Sequence, residues 1–84
     1  MKKILYFSAE WCGPCKTFKP KMKKLATENF PVEFLNVDSD SELTMKYGVR
    51  NVPTTIITFD GQEKFRFVGV KPTEEITTAY NSLP

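Results

Sequence analysis

Residues Ser8–Lys16 read SAEWCGPCK and contain the only two cysteines of the chain, Cys12 and Cys15, with Gly13 and Pro14 between them and Trp11 in front. Just before this stretch, residues 3–8 are mostly apolar and aromatic, as in a strand buried on both faces. Just after it, Phe18, Met22, Leu25 and Ala26 recur at spacings of four, three and one, which predicts an amphipathic helix over residues 13–29. The two thiols therefore sit where a strand turns into a helix.

A C-x-x-C pair can be a structural crosslink, half of a metal site or a reactive dithiol. As a crosslink it is poor: closing a loop of about four residues removes only about 2 kcal/mol of chain entropy and ties together nothing distant. As a metal site it lacks two of the four usual ligands, because the chain has no histidine and no further cysteine. The same absence of histidine removes any Cys-His dyad, so activation has to come from the backbone and the surroundings. The redox reading fits the position. Cys12 falls at the helix start, where unpaired N–H groups and the helix dipole favour a thiolate. Pro14 suits the first turn, since its missing N–H is not needed there, and it stiffens the spacer. Cys15, one turn on, is expected to be the less exposed, resolving thiol.

Acidity alone does little. Lowering a thiol pKa from ~8.5 to ~7 raises the thiolate fraction at pH 7 from about 3% to about 50%. Reduced nucleophilicity takes back roughly fivefold, leaving about threefold in attack rate. A better leaving group and the proximity of Cys15 must supply more.

The rest of the chain gives this motif a frame. Eighty-four residues suit one domain, residues 1–84, and a hydrophobic fraction of 40% permits a core. A net charge of +2 gives no case for nucleic acid or an anionic membrane. The apolar run Ile4–Phe7 is four residues long, short of the ~7–15 of a signal peptide, and nothing approaches a membrane span. The expectation is a cytosolic protein with thiols normally reduced.

Residues 32–38 read as a second strand, parallel to the first across a helical crossover. A short helix follows, with Ser39 and Glu42 at capping-box spacing and Gly48 as its stop. Residues 54–59 and 63–68 flank Asp60-Gly61, a hairpin signal. Ile76, Ala79, Tyr80 and Leu83 mark a last helix that begins at Thr73. The expected architecture is α/β, ordered β-α-β-α-β-β-α, with a four-stranded mixed sheet flanked by helices. The dithiol lies at the C-terminal edge of the parallel pair, where open α/β sheets place their chemistry.

Two further patterns carry less. Lys16, Lys19, Lys21, Lys23 and Lys24 make the first helix basic, which reads as a solvated face, with a steering patch for an acidic partner as the alternative. Asp38–Glu42 resembles the start of a calcium loop, but Leu43 and Val49 stand where a glycine and a glutamate are required.

Trp11-Cys12-Gly13-Pro14-Cys15-Lys16 resembles the active-site signature of thioredoxins, and Val52-Pro53-Thr54, Gly69 and Pro20 agree with it. Only the usual N-terminal strand and helix have no counterpart. The resemblance implies a minimal thioredoxin fold and a thiol–disulfide oxidoreductase that reduces protein disulfides with no cofactor or metal. It implies a monomer, recycled by a thioredoxin reductase or equivalent donor. Cys12 would be the nucleophile and Cys15 the resolving thiol. Trp11, Gly13, Pro14, Asn51, Val52, Pro53 and Gly69 would form the apolar contact surface, and Lys16 would favour the thiolate. From the residues alone Pro53 is as readily an ordinary loop proline; the resemblance implies a cis bond. A glutaredoxin is the enzymatic alternative, although Gly69-Val70 stands where glutaredoxins carry Gly-Gly; a non-catalytic docking subunit is the other.

Three departures bear on mechanism. Thioredoxins usually hold a buried aspartate six residues before the first cysteine and a lysine on the next parallel strand; here these positions are Tyr6 and Phe34. The tryptophan four residues before the first cysteine is Ser8. An aromatic pair can fill the space of an ion pair without its desolvation cost, but it cannot accept the Cys15 proton.

Overall fold

A strand whose side chains are apolar on both faces has to be covered on both, and β1 (Lys2–Ser8) sets the architecture for that reason. In the computed structural model, which describes residues 1–84, Ile4, Tyr6 and Phe7 are wholly buried and Leu5 nearly so. β1 lies inside a four-stranded sheet, parallel to β2 (Val32–Asn36) on one side and antiparallel to β3 (Thr54–Phe59) on the other. β4 (Gln62–Val68) completes the order β2-β1-β3-β4. The element order is the expected β-α-β-α-β-β-α.

Alternation along β1 splits the core in two. Ile4 and Tyr6 pack with Phe18, Met22 and Leu25 of α1 (Gly13–Thr27) and with Ile76 of α3 (Thr73–Ser82). Leu5 and Phe7 face the other way, onto Leu35, Val49 and Ile56, with Leu43 and Tyr47 closing that side beside α2 (Ser41–Lys46). The α3 stripe of Ile76, Ala79, Tyr80 and Leu83 meets the first of these clusters, as its spacing predicts. The hairpin at Asp60-Gly61 has both residues at positive φ, 52° and 83°, as a two-residue turn matched to strand twist requires.

Boundaries move where a side chain finds a better partner than the pattern suggests. β2 ends at Asn36 rather than Asp38, and α2 begins at Ser41, so the Ser39–Glu42 capping box does not form. Asp40 is the cap residue, yet its carboxylate accepts the Asn36 N–H at 2.8 Å instead of capping its own helix. That competition from a short polar side chain is local, and the helical pattern does not register it. α1 stops at Thr27, two residues early, and runs on through Pro20.

One hydroxyl on the sheet has no partner. Thr55 Oγ1, on β3 opposite Tyr6, is fully buried and unbonded. An unpaired buried hydroxyl costs about 1–3 kcal/mol, so Thr55→Val is expected to stabilise the protein by about 1 kcal/mol. Urea denaturation checks this; an unchanged or lower midpoint would show that Thr55 is satisfied in solution.

Candidate active site

The end of β1 and the start of α1 bring the two cysteines together. Cys12 is the N-cap of α1, with an extended backbone (φ −92°, ψ 110°), and Pro14 stands in the first turn. The Cys15 N–H, one of the amides that a helix start leaves free, donates to Cys12 Sγ at 3.2 Å. The thiols are joined as a disulfide, with Cα atoms 5.3 Å apart. Cys15 is 2% exposed and Cys12 5%. The order matches expectation, but the difference is small, and little of either residue reaches solvent in this oxidised state.

Around the disulfide, Ala9 packs against both cysteines, with Val37 and Val52 half-buried beside them. The Val52-Pro53 bond is cis. Pro53 O accepts the Gly69 N–H at 2.8 Å, which brings the end of β4 to the loop beside the dithiol. Gly69 has φ +88°, a conformation that side chains resist, and a Cβ there would meet nothing within 4 Å. The constraint is on the backbone. Gly13, Pro14 and Asn51 are exposed, whereas Pro53 is buried and presents no side chain to solvent. Trp11 is 69% exposed. Its indole Nε1–H donates to Asp38 Oδ2 at 3.0 Å, and Asp38 is in turn fixed by its own N–H bonding Asn36 Oδ1.

Behind Cys15 the site departs from a charged design. The Tyr6 hydroxyl, wholly buried, donates to the Cys15 carbonyl at 3.1 Å. Its ring stands edge-on to Phe18 and to Phe34, each at 5.8 Å between centroids. Phe34 does fill space beside Tyr6, but it is 36% exposed and lines a cleft of about 500 Å³ between α1 and β2. Cys15, Lys16 and Lys19 line the same cleft. Two contacts here escape a reading of the sequence, Tyr6–Cys15 and Trp11–Asp38. Their partners are 9 and 27 residues apart and fall in no shared pattern.

Comparison with known proteins decides what this constellation is. The sequence model of the thioredoxin family matches residues 1–82. The chain belongs to the thioredoxin family. It is a thiol–disulfide oxidoreductase. It is 40% identical over 77 residues to thioredoxin from Mycoplasma pneumoniae, covering 89% of this chain and 76% of that protein. Among solved structures, a mutant thioredoxin from Halobacterium salinarum superposes with a TM-score of 0.87 at 32% identity, over 96% of this chain and 73% of that one. Fasciola hepatica thioredoxin gives 0.84 at 34%, over 95% and 79%. The family implies disulfide-containing proteins as substrates and a reductase as partner, and it favours neither a glutaredoxin nor a purely docking role. No helix is long and apolar enough to cross a membrane.

Burial pushes the Tyr6 phenol up from 10.0 to about 12. An acid with a raised folded-state pKa contributes stability that is fully present below its unfolded value and is lost as pH climbs through the folded one. The Tyr6–Cys15 bond is thus present at neutral pH and fails in strong base. Tyr6→Phe should lower stability by about 1 kcal/mol at neutral pH. That deficit should shrink as pH rises from 10 to about 12, because only the parent protein has this phenol to ionise. Denaturation midpoints of the two proteins across that range test it. A deficit that stays constant would mean that Tyr6 is not held neutral by the fold.

Proposed function

We propose that the protein reduces disulfides of other proteins, with Cys12 as nucleophile and Cys15 as resolving thiol. Cys12 thiolate attacks one sulfur of the substrate disulfide, and the other leaves as a thiolate and takes a proton. Cys15, once deprotonated, attacks Cys12 Sγ, closes the internal disulfide and releases the second substrate thiol. Two electrons pass from the dithiol to the substrate, and a reductase returns them.

The observation that carries this reading is the 3.2 Å contact from the Cys15 N–H to Cys12 Sγ. A donor aimed at that sulfur favours its anionic form, which is the form that attacks the substrate disulfide. The substrate lies extended against Val52, using its backbone groups as a strand would, over Trp11, Gly13, Pro14, Asn51 and Gly69, while the buried Pro53 acts beneath this surface by shaping the loop. The Gly69–Pro53 bond and the Val52 packing support that assignment by gathering the segments at the dithiol. Lys16, exposed beside Cys15, adds positive potential. The protein works as a monomer in the cytosol, a single domain over residues 1–84, where reductants keep such a pair cycling.

Tyr6 cannot take the Cys15 proton, since its hydroxyl is protonated and committed to a carbonyl. Water takes it instead, and Cys12 titrates without a coupled carboxylic acid. Thiolate absorbance of the reduced protein should show one step below pH 9; two overlapping steps would refute the uncoupled site.

The division of labour is tested by single substitutions. Cys15→Ser should accumulate a mixed disulfide at Cys12 with a disulfide-bonded protein substrate, and Cys12→Ser should leave only background turnover. Trapping at Cys15 would reverse the roles. Equilibration with glutathione should give a potential near about −270 mV for a reductant, and a value near about −120 mV would make the protein an oxidant.

A further inference from the structure

Charge around the dithiol is sorted by side. α1 carries Lys16, Lys19, Lys21, Lys23 and Lys24, all exposed, and none takes part in the molecule's three ion pairs. Lys16, Lys19 and Lys23 fall at i, i+3 and i+7, a single stripe. Lys16 and Lys19 line the cleft that α1 shares with β2, so this stripe runs from beside Cys15 along the flank that faces the outermost strand of the sheet. The carboxylates nearby offset it only in part: one of them, Glu10, is free on the cleft against two lysines there, Lys16 and Lys19. Glu10 lies on the cleft, Glu33 of β2 is engaged by Lys3 at 3.5 Å, and Glu28 stands past the far end of the helix.

Lysines placed three and four apart on a helix repel, and Lys16 lies close to the positive end of the dipole. The stripe thus carries an excess of positive charge that Glu10, the one free carboxylate on the cleft, only partly balances. An anionic group from outside would relieve it. The cleft offers such a group about 500 Å³, with an apolar wall from the part-exposed Phe34 and polar groups from Ser8 and Asn36. The stripe is too short for a nucleic-acid track: α1 has 15 residues, about 22 Å of helix.

We propose that the α1 flank bearing Lys16, Lys19 and Lys23, together with the cleft it shares with β2, receives an acidic segment of the protein whose disulfide is exchanged. This rests on the exchange reading above and names the substrate class: proteins with aspartate- or glutamate-rich sequence next to the reactive disulfide. The acidic segment accelerates encounter and sets which way the substrate lies across the dithiol, and the electron transfer itself is unchanged.

Three disulfides separate the outcomes: a peptide disulfide with an Asp/Glu-rich tail, the same peptide with an Asn/Gln/Ser tail, and neutral 2-hydroxyethyl disulfide. The reduced protein should reduce the acidic-tailed peptide about tenfold faster than the neutral-tailed one at about 10 mM salt, and the advantage should fall below about twofold at about 0.15 M. The Lys19→Glu, Lys23→Glu double variant should lose the advantage, and Lys19→Gln, Lys23→Gln should reduce it. Both should keep the parent rate with 2-hydroxyethyl disulfide, which shows that they are folded and competent. Equal rates for the two tails, or an advantage that survives charge reversal, would overturn the proposal. Inertness toward all three disulfides would overturn the exchange reading and this one with it.

Discussion

The chemistry of this protein depends on one backbone amide. The Cys15 N–H is free because it lies in the first turn of α1, and it is aimed at Cys12 Sγ because Cys12 is the cap of that turn. A hydrogen bond to a charged acceptor is stronger than one to a neutral sulfur, so once the disulfide opens this donor favours the thiolate over the thiol. As nucleophilicity falls with basicity, the gain in attack is modest. The more durable effect is that Cys12 and Cys15 are held in one turn, within bonding reach of each other.

That turn is positioned by the sheet beneath it. Cys15 gives its N–H to Cys12 and accepts the Tyr6 hydroxyl on its carbonyl, so its peptide groups are fixed on both sides. Tyr6 can do this because it lies on β1 on the face that α1 covers, between Phe18 and Phe34. A carboxylate and a lysine in that place would need mutual pairing to offset several kcal/mol of desolvation per ion. The aromatic arrangement avoids that cost and gives up a carboxylic acid beside Cys15. It exchanges a proton acceptor for a positional tether.

Much of this was legible in the sequence, where the determining pattern is local. The buried run Ile4–Phe7, the α1 and α3 stripes and the Asp60-Gly61 turn each express their structure within a few residues, and each forms as read. The start of α2 was not legible, because Asp40 turns back to the Asn36 N–H, a choice between two nearby donors that composition does not settle. Nor were the contacts that finish the site. Trp11 is steadied by Asp38, which looks from sequence like part of a polar run, and Phe34 is a core residue by type but a cleft wall by position, since β2 is an edge strand of the sheet.

The two flanks of the dithiol differ in kind, and in the proposed complex the difference divides recognition into separable parts. On one side Val52, the cis-Pro53 loop and Gly69 offer backbone and small apolar surface, which suit any extended chain and discriminate little between sequences. On the other, α1 offers unpaired positive charge, which acts at a distance and falls off within a Debye length. Backbone pairing acts mainly on how long a substrate stays, and charge mainly on how often it arrives. A protein that exchanges bonds with a disulfide-containing partner and must then release it needs the first to be weak. Selectivity is then more readily carried by the second, since faster arrival adds no contact that has to be broken before the product leaves.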